Sequence, residues 1–184
     1  MIMLRLDFEK FKQNQCLRDF LMQTDRQLST QLGTEAACIS ISGASLQYIF
    51  YALRFIAGED IRKVVVSAGT NNISSKENTA RKGPARMIKI VTKLATEFCS
   101  NNPHCQLYVA QLINRPRNIG DRIESHLKRY NNMLLSAEMN GKLPTDCNVI
   151  RIEPLDPSFF YDGLHLNSLG TAQLVNVLVN HLIL

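Results

Sequence analysis

The chain has 184 residues, 45% hydrophobic and 20% charged, the composition of a globular domain large enough to bury a full core. No apolar run approaches the ~20 residues that cross a bilayer, and the first residues lack a basic segment followed by a long apolar one. The expectation is a single domain over 1–184, without membrane span or signal peptide, in the cytoplasm or nucleus.

Residues 2–8 are apolar enough for a first strand, and 9–32 has helical spacing through Phe11, Leu17, Phe20, Leu21, Leu28 and Leu32 before Gly33. A short buried strand over 37–42 runs into Gly43. Ser45 is placed to cap a helix carrying Leu46, Ile49, Phe50, Leu53 and Phe55. Residues 64–68 form a third strand, followed by a polar loop over 71–81 and a helix with Pro84 in its first turn. Residues 106–112 read as the fourth strand, 121–139 as the next helix, 148–152 as the fifth strand and 169–184 as a closing amphipathic helix. Strands alternating with helices predict an α/β fold: a five-stranded parallel sheet in a three-layer α/β/α sandwich, flavodoxin-like in its layers.

The five cysteines (Cys16, Cys38, Cys99, Cys105, Cys147) are odd in number and widely spaced, with no Cys-x-x-Cys pair and no adjacent histidine pair. They read as reduced, mostly buried thiols, and neither a metal site nor a cofactor is expected. The net charge of +5 is unevenly placed: residues 81–129 hold ten bases against three acids. That stretch, with Arg81, Arg86, Lys89, Arg115, Arg117 and Arg122, suits a phosphate backbone or an acidic protein partner, or forms a solvated helix face. His104, His126 and His181 stand in polar or helix-end surroundings and carry no motif.

In an open parallel sheet ligands gather beyond the carboxyl ends of the strands, where Gly43, Gly69, Arg115 and the loop over 153–167 all fall. Two runs there carry chemistry. Gly69-Thr70-Asn71-Asn72 leaves a strand end, from which an asparagine amide can face a developing oxyanion. Tyr161-Asp162-Gly163-Leu164-His165-Leu166-Asn167 places an aspartate three residues before a histidine, where it can hold the imidazole in one tautomer.

These blocks resemble two of the four sequence blocks of the SGNH (GDSL-like) hydrolases, and Gly43 resembles the glycine of a third. The resemblance covers most of the chain from Ile39 to Leu184 and fails over the first 35 residues. It implies that Gly43 and Asn71, with Gly69, surround an oxyanion, that His165 is a general base and that Asp162 orients it. The serine block is missing. Its register falls at the end of the first strand, where the chain reads Leu6-Asp7-Phe8, and no serine occurs before Ser29. Gly43-Ala44-Ser45-Leu46 looks like a Gly-Asp-Ser-Leu motif, but only about two dozen residues separate Ser45 from Gly69, room for one helix and one strand, so Gly43 matches the second block and Ser45 reads as a helix cap. Cys16, the thiol nearest the expected position, sits inside a helical pattern.

Two functions follow from the resemblance. One is a degenerate SGNH domain that has lost its nucleophile and binds RNA through the 81–129 bases, similar in logic to the SGNH-like domain of the germ-plasm protein Oskar. The other is a carboxylic ester hydrolase using Ser45 and His165, like the SGNH esterase domains of some retrotransposon first-frame proteins. A protein-interaction domain with neither property is the third expectation.

Overall fold

A computed structural model of the chain describes residues 45–53, 61–73, 83–118 and 122–183. Among the described residues, three parallel strands, β1 (Lys63–Val66), β2 (Gln106–Ala110) and β3 (Cys147–Ile150), lie in that spatial order. Val65 pairs with Tyr108, and Tyr108 with Asn148. Four α-helices accompany them: α1 (Leu46–Leu53), α2 (Gly83–Asn101), α3 (Arg122–Met139) and α4 (Ser168–Ile183).

The period-two pleat divides the strands between two cores. Val66, Leu107, Val109, Cys147 and Val149 face one core with Leu46, Ile49, Phe50 and Leu53 of α1, Met87 and Val91 of α2, and Leu127, Tyr130 and Leu134 of α3. Val65, Ala110 and Ile150 face the other, with Leu178, Leu174 and Val177 of α4. The buried stripes Met87, Val91, Ala95, Phe98 and Leu127, Tyr130, Leu134, Ala137 advance by three or four residues, as one face of a helix must. A parallel sheet with helices on both faces is the three-layer α/β/α arrangement expected from the alternation of elements. Three of the five expected strands are described. The strands expected at 2–8 and 37–42 and the helix at 9–32 lie outside the described residues.

The strands end earlier than their apolar runs. β2 stops at Ala110 because an amide from α3 takes over at the next residues: Leu112 N–H donates to Asn131 Oδ1 and Leu112 C=O accepts from Asn131 Nδ2, each at 2.9 Å. Beyond β3, Ile152 N–H bonds to the buried Gln111 Oε1 at 3.0 Å instead of to a strand. The outer side of β3 is met by the Glu138 carboxylate of α3, which accepts from Val149 N–H. Among the described residues no helix is long and apolar enough to cross a membrane.

Helix α4 starts on an asparagine. Asn167 Oδ1 accepts from Gly170 N–H at 2.9 Å, while Asn167 Nδ2 donates to Ser158 C=O at 2.7 Å and Asn167 N–H to Phe159 C=O at 2.9 Å. One side chain thus caps the helix and clamps it to the 3₁₀ turn Pro157–Phe159. The contact leaves no room at Gly170, where a Cβ would lie 2.3 Å from Phe159 O and 2.8 Å from Phe159 Cβ. Gly→Ala inside a helix ordinarily stabilises by about 0.5–1 kcal/mol. Here Gly170→Ala is expected to destabilise instead, by about 1–3 kcal/mol through forced separation of α4 from the turn, read as a lower urea midpoint.

Candidate functional site

Each strand exit delivers a polar segment to the carboxyl edge of the sheet. β1 leads into the 3₁₀ turn Thr70–Ile73, β2 into the turn Pro116–Asn118, and β3 into the long segment that ends at α4. Side chains tie the three together. Asn114 Nδ2 donates to Leu155 C=O and Asn114 Oδ1 accepts from Leu155 N–H, both at 2.8 Å, so a carboxamide plays the part of a neighbouring strand. Arg115 Nη2 donates to Thr70 C=O at 3.1 Å, bracing the turn that carries Asn71. Arg117 N–H donates to Gly163 C=O at 2.9 Å, docking the second turn onto the Asp162–His165 loop.

That docking depends on glycine. Gly163 has φ +72°, and any Cβ would lie 3.0 Å from both Arg117 N and Arg117 Cβ. The loop itself is a closed bend: Phe160 and Leu166 pair as an isolated antiparallel bridge, and Tyr161 N–H donates to His165 C=O at 3.1 Å.

Inside the bend Asp162 has three bonds. Its Oδ1 accepts from His165 N–H at 2.7 Å and from Leu164 N–H at 2.8 Å, and its Oδ2 lies 2.8 Å from His165 Nδ1. The backbone N–H of His165 first, and then its ring, hold the Asp162 carboxyl well below the usual range, at about 2. An ionised carboxylate only accepts, so His165 Nδ1 carries the proton and Nε2 is the basic nitrogen of the neutral ring. The imidazole is 59% exposed, and Tyr161 stacks on it with centroids 5.5 Å apart and planes inclined by 13°. The arrangement can accept a proton at Nε2 from a group that approaches from solvent.

Asn71 is exposed on the Thr70–Ile73 turn, and Gly69 is buried at its start. Ser45 stands at the head of α1, where its Oγ accepts from Tyr48 N–H at 3.3 Å, as a capping hydroxyl does. No hydroxyl or thiol among the described residues is hydrogen-bonded to the His165 ring. The described thiols, Cys99, Cys105 and Cys147, lie at the amino ends of β2 and β3 and the close of α2. Burial raises all three, Cys105 to about 11 and Cys147 to about 12, far from a reactive thiolate. Among the described residues no cluster of three or more His, Cys, Asp or Glu is placed to hold a metal ion.

Of the basic candidates, Arg86 and Lys89 are exposed on the first two turns of α2, Arg117 is exposed on its turn, and Arg122 is exposed at the head of α3. Both helices follow carboxyl-edge loops, so these bases share the edge with the dyad. Gly43 and Arg81 lie outside the described residues, as does Cys16. The sequence reading gives Asn72 no role of its own. Its Oδ1 accepts from Leu46 N–H at 2.9 Å and its Nδ2 donates to Gln47 Oε1 at 3.1 Å, which fastens α1 to the exit of β1. An Asx residue just beyond a strand-end glycine is the available signal, but its partner is 26 positions upstream.

Because folding lowers the Asp162 pKa from 3.8 to about 2, the unfolded chain binds more protons between those values. The stabilisation is complete above the unfolded value and is lost as pH falls toward 2. Urea midpoints from pH 6 to pH 2 are therefore expected to drop less steeply on the acid side in Asp162→Asn than in the unaltered protein. Parallel curves for the two proteins would contradict the clamp.

No protein-family model matches the sequence, and no curated protein matches it. Solved structures do. A Bacteroides fragilis protein described as an acylhydrolase superposes with a TM-score of 0.56 at 16% identity, covering 89% of this chain and 81% of its own. A GDSL-like lipase from Bacteroides thetaiotaomicron gives 0.57 at 14% identity, over 89% of this chain and 82% of its own. A Streptococcus pneumoniae protein described as a platelet activating factor gives 0.57 at 15% identity, over 91% and 97%. Identities this low speak for architecture alone, and in architecture the chain has the fold of the SGNH, or GDSL-like, hydrolases.

Proposed function

We propose that this SGNH-like domain works as a binding module for RNA and has lost ester hydrolysis. The observation that carries the reading is the position of Ser45: the hydroxyl nearest a Gly-Asp-Ser-Leu pattern caps α1 and shares no hydrogen bond with His165. In the register of the resemblance the nucleophile position holds Phe8, which cannot attack an acyl carbon. Removing the nucleophile from a serine hydrolase of this logic lowers its rate by several orders of magnitude. What is left at the carboxyl edge is a closed loop docked on exposed Arg117, with exposed Arg86, Lys89 and Arg122 near the starts of α2 and α3, suited to phosphates.

The dyad favours a second reading, an acyl-ester hydrolase. His165 with an oriented Nε2 and an ionised Asp162 is a ready general base, and two of the similar structures are described as an acylhydrolase and a GDSL-like lipase. This route needs Ser45 to leave its cap and reach Nε2, with Gly43, Gly69 and Asn71 about the oxyanion.

Two measurements separate the readings. With a short acyl nitrophenyl ester, the unaltered protein is expected to turn over no faster than His165→Ala or Ser45→Ala; turnover abolished by both substitutions would establish the hydrolase. With single-stranded RNA, log K should fall against log salt with a slope of about −0.7 per phosphate contact. Arg117→Ala with Arg122→Ala is expected to flatten the slope by about 1.4. Binding absent at low salt would remove the RNA reading.

A further inference from the structure

Tyr161 is 68% exposed, yet its neighbourhood is among the most constrained parts of the edge. Its backbone is pinned on both sides, by the Phe160–Leu166 bridge and by Tyr161 N–H to His165 C=O. One face of its ring lies against the His165 imidazole, nearly parallel at 5.5 Å. That imidazole is held in turn by Asp162, and most of the Tyr161 side chain not against it is open to solvent. Large aromatic surface held rigid in water gains nothing for folding, but it lowers the entropy lost when a flat partner settles on it.

Resting on the RNA-binding reading, we infer that the outer face of Tyr161 is the platform on which an unpaired RNA base stacks. Exposed aromatic rings beside a basic track are how single strands are held without sequence selection, because every base has a π face and every linkage a phosphate. Both parts are adjacent here. The Arg117 backbone is bonded to Gly163, two residues from Tyr161, and the exposed Arg117 and Arg122 side chains follow along the chain toward α3. The acid of the loop, Asp162, has its oxygens engaged by Leu164 N–H, His165 N–H and the His165 ring, so its charge is turned into the bend. His165 thus has a second part as the backing of the platform, independent of any proton transfer.

The test uses the full chain and an oligoadenylate 12-mer carrying a single 2-aminopurine, a fluorophore quenched by stacking. Tyr161→Ala is expected to weaken binding roughly 5- to 150-fold with an unchanged salt slope and to relieve the quenching. Tyr161→Phe should keep both affinity and quenching, while Tyr161→Leu, apolar and of similar bulk, should lose both. Thermal unfolding of each variant guards against a folding defect. Equal affinity and equal quenching in Tyr161→Leu would overturn the platform while leaving RNA binding in place. A wild-type chain that binds no oligonucleotide would overturn the RNA reading and the platform with it.

Discussion

A parallel strand that leaves its sheet carries its peptide N–H and C=O groups into a crowded region, and each one buried there without a partner costs about 1–3 kcal/mol. In this chain carboxamides supply the partners. Asn131 gives Leu112 both an acceptor and a donor, Gln111 accepts from Ile152 N–H, and Asn114 does for Leu155 what Asn131 does for Leu112. An amide side chain reproduces the donor and acceptor of a peptide group, so the hydrogen bonding of the sheet continues past its last residues while the backbone is released to turn. The loops that leave the carboxyl edge therefore start from fixed points. The same device sets two of the helix starts at that edge, through Asn72 for α1 and Asn167 for α4.

This explains which parts of the site are rigid. The Asp162–His165 bend docks on Arg117, whose turn follows Asn114, whose amide holds Leu155 upstream of the bend. The turn bearing Asn71 is braced from the same segment by Arg115. One short stretch after β2 thus locates both the turn after β1 and the loop after β3. A change at Asn114 would be felt at His165, although neither side chain touches the other.

The alternation of apolar runs and helical stripes was legible in the sequence because burial on both faces demands it: Val64 to Val66, Leu107 to Ala110, and the Met87 and Leu127 stripes fall where periodicity puts them. Ser45 as a cap and Asp162 as the partner of His165 were legible because each acts within three residues. What could not be read depends on distance along the chain. The end of β2 moved inward because Asn131, about twenty positions later, competes for Leu112. Spacing offers Arg115 as an anion-binding base but does not show that its Nη2 also donates to a carbonyl 45 positions earlier. The stacking of Tyr161 on His165 was hidden because it needs the positive φ of Gly163 to fold the loop back, and ring contacts do not follow from spacing in irregular backbone.

Residues that look catalytic can be retained for reasons unrelated to catalysis, and here those reasons are visible. Both Asp162 oxygens are engaged in closing the bend, and the His165 backbone supplies one N–H to Asp162 and one C=O to Tyr161. Removing the Asp162 side chain would take three bonds from the bend whether or not an ester was ever cleaved. Asn72 holds a helix start, and Gly69 accepts the Asn72 N–H that forms the turn. A chain freed from hydrolysis would still keep these residues, because they build the edge on which any ligand must rest. A nucleophile has no such second duty: its hydroxyl serves the reaction alone, so it is the first part such a site can lose.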